Sequence, residues 1–124
     1  MLVAISINKV GKTENLCEVF GRSLSYLIYN AENKSQEIIS NPYSSELGGS
    51  GIQSAQFLIE KSIEVLITKD IGTNSLKLFK SANVKVCNCA GLTPIEALNS
   101  FSKSKLMLFD FISKNSFSTK KTRA

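Results

Sequence analysis

The sequence predicts an α/β domain built on a mixed five-stranded sheet with helices packed on it. Three observations carry this expectation. Residues 2–7 (LVAISI) are almost wholly apolar, as in a strand buried on both faces. Residues 24–40 hold two further strand-like runs around a polar turn, which is a meander. From residue 51 onward, short apolar runs alternate with helical spacing, the pattern of parallel strands joined by right-handed crossovers.

The elements follow in order. After the first strand, residues 8–22 are polar and contain Gly11 and Gly21, so a long loop is expected. Residues 24–30 (LSYLIYN) read as the second strand, Asn30 to Lys34 as a hairpin turn, and 35–40 (SQEIIS) as the third strand. A loop from Asn41 to Ser50 carries Pro42, Gly48 and Gly49. Residues 51–61 are expected to be helical, with Ile52, Ala55 and Ile59 on one face and Leu58 beside them. A strand is expected over 64–68, a helix at about 74–81 packing through Leu76, Leu78 and Phe79, and a fifth strand over 84–88. Thr93 is placed to cap the last helix, with Pro94 at its first position and Glu96 closing a capping box. If the second strand alone is antiparallel, strands one, three, four and five end on one edge, where open α/β sheets bind ligands.

Composition narrows the function. The chain has 124 residues and 43% apolar content, enough for one domain with a real core. Residues 1–102 carry nine basic and nine acidic side chains, so the net +5 lies wholly in residues 103–124. The expected organisation is a neutral domain over 1–102 and a basic tail over 103–124, partly disordered or solubilising. The segment Leu106–Ile112 is apolar enough to extend the last helix, add an edge contact or form a dimer face. No apolar run reaches the roughly 20 residues of a membrane span, and Met1 leads directly into the first strand rather than into a signal peptide. The three cysteines are an odd number, which points to a reducing cytoplasm. There is no His, which excludes His metal ligands, His bases and Ser–His or Cys–His nucleophiles. No acid–base pair stands out, so a non-catalytic role is expected.

Three groups could carry binding. Gly48-Gly49-Ser50-Gly51 opens a helix, and free N–H groups there favour an anion. The spacing is not that of a Walker loop, and it only partly matches a dinucleotide fingerprint. A flexible turn and helix cap is the plainer reading. Cys87 and Cys89 fall on one side of a strand and, with Cys17, could hold a soft metal or an iron–sulfur fragment. The alternative is a buried strand residue and a loop thiol. Arg22 is the only arginine outside the tail and could pair with an anion or form a surface salt bridge.

Phe20-Gly21-Arg22 after the first strand, Asn41-Pro42, Gly48-Gly49-Ser50-Gly51-Ile52-Gln53, Gly72-Thr73-Asn74 and the Thr93…Glu96-Ala97-Leu98 helix start occur in an order that resembles the dinitrogenase iron–molybdenum cofactor biosynthesis family (NifX- and NafY-like proteins). The match covers about residues 2–101. The resemblance implies a three-layer ribonuclease H-like fold with helices on both faces of the sheet. It also implies a cytoplasmic, non-catalytic carrier or chaperone of a metal–sulfur cofactor, an iron–sulfur or iron–molybdenum-type cluster, working with a donor or recipient protein. Membrane and nucleic acid are not among the expected partners. The implied cofactor-binding residues are Phe20, Gly21, Arg22, Gly48, Gly49, Ser50, Gly51, Gly72 and Asn74, with Cys17, Cys87 and Cys89 as candidate metal ligands. Some members carry a His just before Phe-Gly; Val19 stands there in this chain. Two alternatives remain: an interaction module of the same fold without metal, or a phosphate- or nucleotide-binding protein using the Gly48–Gly51 loop.

Overall fold

The computed structural model describes residues 1–7, 19–44, 51–89, 92–102 and 107–108. Nine regular elements are present among them: β1 (Leu2–Ile7), β2 (Ser25–Asn30), β3 (Ser35–Ser40), α1 (Gly51–Glu60), β4 (Val65–Thr68), α2 (Thr73–Ser81), β5 (Lys85–Asn88), α3 (Pro94–Ser102) and β6 (Met107–Leu108). A 3-10 turn spans Phe20–Arg22. The strands make one sheet in the order β3-β2-β1-β4-β5-β6. β1 pairs antiparallel with β2 and β2 with β3, whereas β1, β4 and β5 are parallel. Strands β1, β3, β4 and β5 therefore run the same way, as the sequence pattern requires.

The sheet has six strands rather than the five expected, because Met107–Leu108 pairs antiparallel with β5 opposite Asn88 and Cys87. This strand falls in the segment read as a basic tail, and it realises the edge contact considered for the apolar stretch from Leu106. Its physical reason is local: a short run of apolar residues satisfies the backbone groups of an otherwise open strand.

Alternation along β1 builds two core layers. Val3, Ile5 and Ile7 pack with Leu27, Ile67, Cys87, Cys89 and the Ala97 and Leu98 side chains of α3. Ala4 on the opposite face packs with Ala55 and Leu58 of α1 and Leu76 and Phe79 of α2. The helices thus cover both faces, two on one side and one on the other.

The α1 face differs from the expected one. Ser54, Ala55 and Leu58 are its buried residues, while Ile52 points outward at 38% exposure and Ile59 is half-buried. The rotation follows from Ser54, whose hydroxyl is drawn inward to bond Asn41 and the Tyr43 carbonyl. Apolar periodicity alone does not see that polar anchor. In α2, Leu76 and Phe79 are buried as expected and Leu78 is half-buried.

The turns obey their residues. Asn30 Oδ1 accepts the Glu32 N–H at 2.9 Å, and Lys34 adopts φ 61° to close the β2–β3 hairpin. After α2, Asn83 at φ 63° sits between a Val84 N–H to Phe79 carbonyl bond of 2.9 Å and an Asn83 N–H to Lys80 carbonyl bond of 3.0 Å, a left-handed helix stop. The α3 capping box forms as expected: Glu96 N–H donates to Thr93 Oγ1 at 3.2 Å, and Thr93 N–H to Glu96 Oε1 at 3.0 Å. Thr93→Ala removes the hydroxyl half of this box and is expected to lower stability by about 1 kcal/mol. The check is a lower denaturant midpoint with an unchanged slope in urea unfolding.

Candidate functional site

The C-terminal ends of β1, β3, β4 and β5 lie on one edge of the sheet, and the residues singled out in the sequence follow one of these ends, except Cys87, which lies within β5. The edge is organised around Asn41, directly after β3. Its Nδ2 lies 3.0 Å from the Ser23 carbonyl, 3.2 Å from the Tyr26 hydroxyl and 3.1 Å from Ser54 Oγ. Its Oδ1 accepts the Tyr43 N–H at 3.0 Å. Ser23 in turn donates its hydroxyl to the Ile7 carbonyl at 2.9 Å and accepts the Ile7 N–H at 3.1 Å. One buried network therefore joins the end of β1, the start of β2, the end of β3 and the first turns of α1. Burial holds the Tyr26 hydroxyl well above its ordinary pKa, with the Ser54 hydrogen bond pulling slightly the other way, so Tyr26 stays neutral and acts as a structural partner.

The Phe20–Arg22 turn is pinned by its first residue. The Phe20 N–H donates to the Asp70 carbonyl at 2.9 Å. Its ring is buried and packs edge-on to Phe79 at 5.4 Å and tilted to Tyr26 at 6.0 Å. Phe20 thus fixes the loops after β1 and β4 to each other from inside the core. Gly21 is exposed, and a Cβ added there would meet open space.

Two helices begin side by side at this edge. A Cβ built on Gly51, the first residue of α1, would lie 2.8 Å from Ser75 Oγ in the first turn of α2. The absent side chain lets the two starts abut. Gly72 is the N-cap of α2, in extended conformation, and makes no side-chain cap bond. Neither α1 nor α2 carries an acidic residue in its first turn, whereas α3 carries Glu96 and caps itself. Asn74 is exposed in the first turn of α2. Asp70 Oδ1 accepts the Ile71 N–H at 2.8 Å, so this carboxylate is engaged by the backbone. Helix N-termini carry partial positive charge and unsatisfied N–H groups, so this corner favours an anion.

The cysteines are placed differently from one another. Cys87 and Cys89 both join the core layer beneath α3, as the two-residue spacing requires. Cys87 is a free, buried thiol. Burial pushes its pKa from 9.0 up to about 11, against a smaller opposing effect of the Lys85 charge. It is protonated at neutral pH and packs as a small apolar residue. Cys89 is buried and disulfide-bonded. Among the described residues, no group of three or more Cys, Asp or Glu side chains is gathered for a metal ion. Cys17, Gly48, Gly49 and Ser50 lie outside the described residues, and of Arg22 only the backbone turn is described. The structure therefore places Phe20 and Gly21 after β1, Gly51 at the start of α1, and Gly72 and Asn74 at the start of α2, with Phe20 bonded to Asp70 and Gly51 beside Ser75. It adds Asn41, Ser23, Ser54 and Ser75, which sequence reasoning passed over except for Asn41-Pro42 as a motif.

The profile of the dinitrogenase iron–molybdenum cofactor family matches residues 1–104. The chain belongs to this family. Among solved structures, the apo form of the orange protein from Desulfovibrio gigas is similar at 23% identity and TM-score 0.77, covering 87% of this chain and 92% of that one. A candidate NifB protein from Thermotoga is similar at 29% identity and TM-score 0.72, covering 96% and 97%. A candidate dinitrogenase from Methanocaldococcus jannaschii is similar at 18% identity and TM-score 0.67, covering 89% and 95%. A comparison with curated proteins finds no match. The likeness to the first and third shows the shared fold. Among the described residues, no helix is long and apolar enough to cross a membrane.

Two outcomes test this geometry. Gly51→Ala is expected to destabilise the chain through the Ser75 contact, and Ser75→Ala in the same chain to restore it. Unfolding midpoints of the two single variants and the double variant then show coupling of opposite sign to the first loss. Stability is also expected to fall as pH rises from about 9 to about 11. In that window the unfolded chain releases the Cys87 proton while the folded chain retains it, so rising pH favours unfolding. Urea midpoints measured across the window should fall less steeply in Cys87→Val.

Proposed function

We propose that this protein is a non-catalytic carrier of an anionic metal–sulfur cluster of the iron–sulfur or iron–molybdenum type. The cargo is taken up where α1 and α2 begin. The observation that supports this most is the contrast among the three helices of a family member: α3 fills its own N-terminus with Thr93 and Glu96, while α2 has no side-chain cap and neither α1 nor α2 has an acidic first turn. Backbone N–H groups suit a carrier because they bind charge without forming strong metal–ligand bonds that would slow release. Gly21, Gly72 and the Gly48–Gly51 loop would let cargo approach the backbone closely. Arg22 would add neutralising charge.

The thiols divide in this reading. Cys87 belongs to the core and serves packing. Cys17 and Cys89 are the candidate soft donors once the Cys89 disulfide is reduced, since the thiolate is the metal-binding form. The ribonuclease H-like architecture serves as a rigid base for the loops. The protein would work in the cytoplasm, between a donor and a recipient of the cluster.

The test is anaerobic purification followed by metal and acid-labile sulfide analysis, a visible spectrum and reconstitution. The expected result is stoichiometric iron or molybdenum with sulfide. Asn74→Asp sharpens the test. A carboxylate in the first turn of α2 should raise stability by roughly 0.3–1 kcal/mol while lowering cluster loading by repulsion. A colourless protein that resists reconstitution overturns the carrier reading and favours an interaction module of the same fold. A thermal shift with phosphate or nucleotides, and none with cluster, favours the phosphate-binding alternative.

A further inference from the structure

We propose that β3 is a self-association edge, through which two copies of this chain join their sheets in antiparallel register centred on Ile38. The inference is independent of the cluster-carrier reading, and it rests on the opposite side of the sheet from β5 and β6. On the β5 side the edge strand β6 has two residues, whereas β3, the edge strand here, has six. Among the described residues, nothing pairs with the outer side of β3.

The backbone sets which groups are free. The Asn41 N–H bonds the Leu24 carbonyl at 2.8 Å, continuing the β2–β3 register. By the alternation of antiparallel ladders, residues 35, 37 and 39 bond inward to β2, while 36, 38 and 40 turn their N–H and C=O groups outward. An unpaired edge of this kind is a template for another strand.

The side chains set the partner. One row across the sheet runs Cys87, Ile67, Ile5, Leu27, Ile38. Its first four members are buried, and Ile38, at the edge, is 46% exposed. A second copy related by a two-fold axis perpendicular to the sheet keeps each face aligned. Centred on residue 38, it sets its own Ile38 against this one and continues the apolar row into the second sheet. The same register places the second copy's Glu37 opposite Ile39. There a groove of about 550 Å³ presents the apolar Leu2, Ile28 and Ile39 together with the Glu37 and Glu60 carboxylates and the Lys61 ammonium. Centring on residue 37 instead opposes two Glu37 carboxylates directly, a destabilising pair. The continued apolar row, and the avoidance of a direct Glu37 pair, therefore select the first register. One strand pair and one groove fall short of the ~800 Å² per partner of a standard interface, so the dimer should form and dissociate with concentration.

The experiment is sedimentation velocity on the full chain, purified without metal, over a concentration series. The expected result is a mass that rises from 13.6 kDa towards twice that value. Ile38→Lys sets two ammonium groups against each other on the axis and should remain monomeric at every concentration. At concentrations where the unsubstituted chain is monomeric, its unfolding midpoint should be unchanged, because Ile38 is exposed. Under mild oxidation, Ile38→Cys should cross-link copies above the level of the unsubstituted chain. Gln36→Cys, which faces Ser40 of the second copy, should not. A monomer at all concentrations overturns the proposal, as does a dimer that survives Ile38→Lys. Equal cross-linking through residue 36 overturns the register. Because metal-free protein is used, cluster loading does not enter any of these outcomes.

Discussion

Asn41 sits where β3 ends and the chain turns towards α1, and its buried amide touches four segments at once. Two N–H donors are shared among the Ser23 carbonyl, the Tyr26 hydroxyl and Ser54 Oγ, and the carbonyl oxygen takes the Tyr43 N–H. A net hydrogen bond is worth about 1 kcal/mol, but leaving a buried partner unsatisfied costs roughly 1–3 kcal/mol. Losing the amide would strand several such groups together. The network is therefore what holds the antiparallel half of the sheet to the helical layer that starts at Gly51.

The rest of the candidate edge depends on that attachment. Ser54 bonded to Asn41 sets the rotation of α1. That rotation turns Ile52 outward and brings Gly51 against Ser75. The contact at Gly51 places the start of α1 beside the start of α2, and Phe20 ties the loop after β1 to the loop after β4 through the Asp70 carbonyl. The proposed anion site would thus arise from a polar core network rather than from charged side chains. This suits the proposed carrier role, because a site made of amides and dipoles would stay in place whether cargo is bound or not.

Much of the fold was legible because its signals are local. The six-residue apolar run of β1, the polar turn at Asn30–Lys34 and the Thr93-Pro94-Ile95-Glu96 start each encode their structure within a few residues. The rotation of α1 was not legible, because it depends on a hydrogen bond across thirteen residues of sequence. Cys87 and Cys89 were legible as a same-face pair. Their burial under α3 was not, since Cys-x-Cys spacing is equally compatible with an open metal site. β6 was foreseen only as an edge contact among other options for the apolar stretch from Leu106, because two strand residues carry almost no periodic signal.

The sequence by itself determined the order of elements, the direction of the strands, the α3 cap and the edge on which the candidate residues gather. Local propensity and apolar period are sufficient for these. Tertiary structure decided which residues meet there. It put Phe20 and Cys87 in the core, set Gly51 against Ser75, and left Ile38 at the end of an apolar row. Each of these outcomes is a contact between segments distant in the chain. Such contacts depend on packing and hydrogen-bond geometry in three dimensions, which residue types and spacing do not contain.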